Sequence, residues 1–185
     1  MYMRVLFYSL LALTVSFAAC KKLKQALNIT ITVPYDDVVT VAGLPGDPHV
    51  PASGLKESLP LISIPTNSED ILEDNESAVD LVTSVKLSKL NVDMLLPSNQ
   101  DFSVMDSVWI YLSANGVSER LAAYNYNVPD TGRTIELTTA DIDLMDVFVA
   151  DTMRVRIEAF FVKDVSRSNT LKFDMKLKVN ADLLN

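Results

Sequence analysis

The sequence predicts a mostly β protein, an antiparallel β-sandwich of immunoglobulin-like or related two-sheet architecture with one or two short helices. Three observations carry this. Apolar residues recur with a period of two, most clearly at Leu171, Phe173, Met175, Leu177, Val179 and Ala181, which alternate with Lys172, Asp174, Lys176, Lys178 and Asn180. Such alternation buries one face of an antiparallel strand and wets the other, and a second sheet is needed to cover the apolar side. Turn signals at Asn115-Gly116 and Pro129-Asp130-Thr131-Gly132 then punctuate the apolar runs. Finally, hydrophobic residues make up 49% of the 185, enough for one sizeable core, and no linker divides residues 27–185, which read as a single domain.

The elements follow in chain order. Leu27, Ile29, Ile31 and Val33 alternate with Asn28, Thr30 and Thr32 and give an opening strand. Residues 43–59, with Pro45, Gly46, Pro48, Pro51 and Gly54, read as a loop. Asn67 or Ser68 is placed to cap a short helix over residues 69–74, with Glu69 and Asp70 in the first turn, where the helix dipole favours anions. Val85 and Leu87 share one phase, while Leu90, Val92 and Met94 share the other. A β-bulge near Ser88 and Lys89 would join them into one long strand, because an extra residue shifts side-chain parity by one.

Residues 107–113, SVWIYLS, are apolar on both faces, which predicts a central strand. Asn115-Gly116 then turns the chain into a partner strand over residues 119–126, and a further strand is expected over 134–137. Thr138 or Thr139 is placed to cap a helix over 140–149, with Asp141 and Asp143 early and Ile142, Met145 and Val149 on one face. Met153, Val155, Ile157, Ala159 and Phe161 alternate with Arg154, Arg156, Glu158 and Phe160, and the strand through Ala181 closes the fold.

The first 19 residues have the form of a secretory signal: Arg4, an uncharged apolar run over 5–19, and the small residues Ala18 and Ala19. The run stops at Lys21 and Lys22, short of the roughly 20 apolar residues that span a bilayer. Phe17-Ala18-Ala19-Cys20 resembles the bacterial lipobox, with Phe17 where that motif usually has Leu, Ile or Val. The resemblance implies that Cys20 is acylated and becomes the mature N-terminus, with residues 20–26 as a tether. Ordinary cleavage near Ala19 is the other reading; it would leave a solitary thiol, the one cysteine of the chain, in an oxidising compartment. Two or three acyl chains, at about 0.8 kcal/mol per buried methylene, would hold the chain to a membrane permanently. The tether carries Lys21, Lys22 and Lys24, whereas the whole chain has a net charge of −8. An acidic body on a basic stem is expected to stand away from an anionic membrane, and the same charge argues against nucleic acid as a partner.

Catalytic signatures are scarce. The one histidine, His49, lies in the Pro-rich loop and reads as exposed, and no nucleophile elbow, phosphate loop or dinucleotide fingerprint is found. One His and an acylated Cys cannot make a four-ligand zinc site, so no metal and no cofactor is expected. Asp141, Asp143 and Asp146 lack the Gly and distal Glu of a calcium loop and suit a helix start; Glu69, Asp70, Glu73, Asp74, Glu76 and Asp80 read as a solvated charged face. Trp109, Tyr111, Tyr124 and Tyr126 straddle the predicted hairpin. They read either as cross-strand pairs that stabilise a sheet or as a binding face for a sugar or lipid.

The lipobox-like Cys20, residues 75–87 (NESAVDLVTSVKL), residues 108–116 (VWIYLSANG) and the strand over 171–179 together resemble small lipoproteins of Bacteroidota. That resemblance implies a β-sandwich with no assigned activity and no functional residue beyond the acylated cysteine. Acidic residues after the cysteine accompany surface export in that group, so Lys21 and Lys22 point to an outer-membrane anchor facing the periplasm. The expectation is a non-catalytic binding or structural module of the cell envelope, with an envelope protein as a possible partner class. The alternative is a carrier of a small, lipid-like apolar ligand between the sheets, which would need a cavity of a few hundred Å³.

Overall fold

The computed structural model describes residues 28–42, 49–165 and 168–182. Cys20, its tether and residues 43–48 of the predicted loop lie outside them. The strands are β1 (Asn28–Ala42), β2 (Leu55–Ser58), β3 (Ile62–Pro65), β4 (Val82–Leu96), β5 (Met105–Ala114), β6 (Val117–Asn125), β7 (Thr134–Glu136), β8 (Thr138–Thr139), β9 (Thr152–Phe161) and β10 (Ser168–Asp182). Helix α1 (Ser68–Asp74) follows β3, and α2 (Met145–Phe148) precedes β9.

These strands form the two antiparallel sheets of a β-sandwich. One sheet has four strands in the order β1-β10-β4-β7. The other has six, in the order β2-β9-β5-β6-β8, with β3 sharing β9 as its partner. Val33, Leu87, Met175 and Leu177 of the first sheet and Ile110, Leu112, Val155 and Phe161 of the second belong to one buried cluster. Each such side chain contributes roughly 1.5–3 kcal/mol by leaving water.

Several strands fall where the alternation places them. β10 lies between β1 and β4, with its odd-numbered positions from Leu171 to Ala181 buried. The bulge in β4 is at Ser88: Lys89 pairs with Lys176 and Leu87 with Leu177, so Ser88 has no opposite number. Val85, Leu87, Leu90, Val92 and Met94 are consequently all buried despite their change of phase. β5 is central, between β9 and β6, and Ala114 pairs with Val117 across the two-residue Asn115-Gly116 turn. Gly116 has φ +75°, a left-handed conformation that an L side chain rarely adopts.

Four readings are corrected. The opening strand runs on past Pro34 to Ala42; β1 is an edge strand, where proline's missing N–H breaks no ladder. The loop over 43–59 contains β2 at its end, because the C-terminal half of β9 offers Leu55–Ser58 an open edge. Neither Asn67 nor Ser68 caps α1 with its side chain: Asn67 is left-handed, with φ 50°, and Ser68 is buried. The helix predicted over 140–149 shrinks to Met145–Phe148, and Thr138 and Thr139 pair with β6 instead of capping it. Asp143 takes over the turn-forming role, its carboxylate accepting from the Met145 N–H at 3.0 Å and the Val85 N–H at 2.9 Å.

A polar contact also ties the sheets together. Tyr35 of β1 donates its hydroxyl to the carbonyl of Thr66 at 2.5 Å, beside β3. Thr66 is 1% exposed, its hydroxyl donates to the Ala150 carbonyl, and its N–H reaches Asp151 O at 3.1 Å. Burial pushes the Tyr35 phenol up to about 12, because the anion would be poorly solvated there.

Candidate functional site

The outer face of the six-stranded sheet gathers the aromatic residues with charged partners. Register decides this: Trp109 lies between Tyr124 of β6 and Glu158 of β9, and Tyr111 lies between Leu121 and Arg156. Tyr126, just past the end of β6, is 60% exposed. Its ring centroid is 4.6 Å from that of Tyr124 and 6.1 Å, edge-on, from that of Trp109. These separations suit favourable aromatic contacts. The predicted residues thus share a face, with Tyr111 one step along β5 from the other three.

Cations flank the rings. The Lys56 ammonium, from β2, lies 4.7 Å from the Trp109 ring centroid and 2.6 Å from a Glu158 carboxylate oxygen. The Arg156 guanidinium lies 4.1 Å from the centre of Tyr111. It donates to both oxygens of Glu119, at 2.8 and 2.7 Å, to Glu158 at 2.8 Å and to the Ser58 hydroxyl at 3.0 Å. The bidentate fork fixes geometry as well as charge. Hydrogen bonds from Arg156 hold Glu119 below its ordinary pKa; those from Lys56 and then Arg156 do the same for Glu158. The reciprocal bonds raise Lys56 and Arg156. All four groups are therefore charged at neutral pH.

On the same face, Gly54 makes room for Phe160, which is in phase with Arg156 and Glu158 on β9. A Cβ on Gly54 would come within 2.3 Å of the Phe160 ring, and its φ of +79° also favours glycine. The ring can therefore lie over the backbone leading into β2, beside the pairing of Lys56 with Phe160. Sequence reasoning singled out the four aromatics but missed Lys56, Glu119, Arg156 and Glu158. The alternating charges on β9 were a signal that one face is polar; their partners on β2 and β6 depend on tertiary register.

Other candidates disperse. His49 Nδ1 is 2.9 Å from Asp164, with side chains 84% and 60% exposed, as expected of a surface loop. Asp164 also accepts the Val50 N–H at 2.7 Å, and that bond, then His49, lowers its pKa. Asp141 pairs with Lys86 at 2.5 Å and Asp146 with Arg120 at 3.0 Å, while Asp143 accepts backbone N–H groups. The three carboxylates thus serve different partners. Among the described residues no three His, Cys, Asp or Glu side chains are grouped to hold a metal ion, and no helix is long and apolar enough to cross a membrane. Between the sheets, the apolar gap bounded by Tyr35, Leu112, Leu144, Phe148, Met153 and Leu177 has no room for a water-sized sphere. It offers no volume to a lipid-like ligand.

No family model and no curated protein matches the chain. Among solved structures, a carbohydrate-binding module of the β-sandwich superfamily is similar at 11% identity with a TM-score of 0.30, over 80% of this chain. The match spans 55% of that structure, and likeness this loose speaks to neither ligand nor activity.

Proposed function

We propose that the protein is a lipid-anchored, non-catalytic binding module of the cell envelope, held through Cys20, that binds a glycan on the outer face of the six-stranded sheet. The observation that carries the binding reading is the contiguous set Trp109, Tyr124 and Tyr126, flanked by Lys56, Arg156, Glu119 and Glu158. A pyranose ring has an apolar C–H face and a rim of hydroxyls. The exposed Tyr126 ring and its neighbours supply a surface for the first, and the charged side chains supply donors and acceptors for the second. Tyr, Trp and Arg also give large contact area at low entropic cost, as binding faces require.

The non-catalytic reading is supported by how the carboxylates are used. Those with lowered pKa are each engaged by a cation or a backbone N–H at the surface, the environment of a structural ion pair. Affinity electrophoresis of the intact protein through gels containing envelope polysaccharides tests the binding reading. Retardation of the parent chain that is lost in Tyr126→Ala supports it; equal mobility of the two in every gel defeats it. Mass spectrometry of the mature N-terminus tests the anchor separately: a diacylglyceryl adduct on Cys20 is expected, and an unmodified thiol would refute it.

A further inference from the structure

We infer that the outer face of the four-stranded sheet, at the end nearest the anchor, docks on anionic lipid headgroups through Lys86, Lys89, Lys176 and Lys178. The inference rests on Cys20 as the membrane anchor and extends it to the orientation of the folded body. Register sets these lysines in a two-by-two block: Lys178 lies directly opposite Lys86, and Lys176 directly opposite Lys89. Like charges in such cross-strand positions oppose pairing of the strands, so packing does not explain the arrangement. Lys86 is paired with Asp141 and Lys89 with Asp174, whereas Lys176 and Lys178 are exposed and have no ion pair among the described residues.

The block is also close to where the anchor must arrive. Lys178 lies opposite Thr32 of β1, and the strand begins four residues earlier at Asn28, about 13 Å away. From Cys20 to Asn28 the chain can span at most about 29 Å. Lys21, Lys22 and Lys24 lie on that segment and carry the same sign of charge. Asp141 and Asp174 neutralise Lys86 and Lys89 within the block, so its surplus positive charge is that of Lys176 and Lys178, and with charges interacting over about 8 Å at physiological ionic strength this surplus acts on headgroups locally. The expectation that an acidic body stands off from the membrane treats net charge as evenly spread, and here it is not. The acidic residues Glu69 to Asp80 lead into β4 at this same end, so contact must be made by the sheet face and not by the tip of the sandwich.

The test is lysine acetylation of the acylated protein reconstituted in phosphatidylcholine vesicles with and without phosphatidylglycerol, read residue by residue by mass spectrometry. Labelling of Lys86, Lys89, Lys176 and Lys178 is expected to fall on the anionic vesicles, severalfold at Lys176 and Lys178, and to recover in high salt, with Lys56 and Lys163 unchanged. Equal labelling of Lys176 and Lys178 on both vesicles overturns the inference, as does protection that includes Lys56. The double variant Lys176→Gln, Lys178→Gln should melt no lower than the parent, since it relieves the cross-strand repulsion, while Lys86 and Lys89 lose their protection; retained protection would also overturn the inference. Failure of the anchor reads differently: vesicles would release the protein in salt whatever the labelling pattern.

Discussion

Replacing Arg156 with Met would keep much of the side chain's volume over Tyr111 but remove the charge that organises the candidate face. The Glu119 pair is bidentate but partly exposed, with side chains 25% and 38% accessible, and is therefore worth about 1 kcal/mol. The bond to Glu158, whose side chain is 18% accessible, adds about 1 kcal/mol, discounted because Lys56 remains as its partner. Loss of the cation from the Tyr111 ring costs about 0.5 kcal/mol. Arg156→Met should therefore lower stability by about 2.5 kcal/mol at pH 7, a drop of about 1 M in the urea midpoint.

The pH dependence gives the sign. Glu119 and Glu158 are held below their ordinary value of 4.5, so their contribution is complete above that pH and is lost as pH falls through their folded values. The gap between Arg156→Met and the parent should therefore narrow in urea titrations carried out well below pH 4.5. A variant within about 0.5 kcal/mol of the parent at neutral pH would refute the reasoning, since that is the scatter of an ordinary surface substitution. So would a deficit that does not change with pH.

Gly54→Ala should destabilise by about 1–2 kcal/mol in thermal unfolding, because the left-handed φ is strained for alanine and the Phe160 ring must move. Tyr35→Phe should cost about 1 kcal/mol, as it leaves the buried Thr66 carbonyl without its donor. In the parent, an ultraviolet titration should show Tyr35 ionising near pH 12, and because its folded pKa is raised from 10.0 to about 12, its stabilisation is complete below pH 10 and is lost as pH climbs to 12. Asp143→Ala should cost about 1 kcal/mol and speed hydrogen exchange at the Val85 amide, whose acceptor it removes.

The features legible in the sequence were those set by local periodicity. The phase change between Leu87 and Leu90 located the β4 bulge, and Asn115-Gly116 located the hairpin, because parity and positive φ leave marks within a few residues. β2 left no such mark: Leu55-Lys56-Glu57-Ser58 has one apolar residue and becomes a strand only because β9 has a free edge. The α2 start was misread for a related reason, since Thr138 and Thr139 are claimed by β6 before they can act as caps. The candidate site divides along the same line. Trp109, Tyr111, Tyr124 and Tyr126 could be grouped across one hairpin, but Lys56 and Arg156 reach them from β2 and β9, a neighbourhood created by register.

Trp109 is the one tryptophan in the chain and lies within the proposed binding face, so its emission reports directly on that surface. Titrating soluble oligosaccharides prepared from envelope polysaccharides into the intact protein should produce a saturable change in Trp109 fluorescence that Tyr126→Ala abolishes while its unfolding in urea remains one cooperative transition, its midpoint lowered only by the lost ring contacts. An emission spectrum indifferent to every oligosaccharide, or the same response in Tyr126→Ala, would contradict the assignment of this face as the glycan-binding surface.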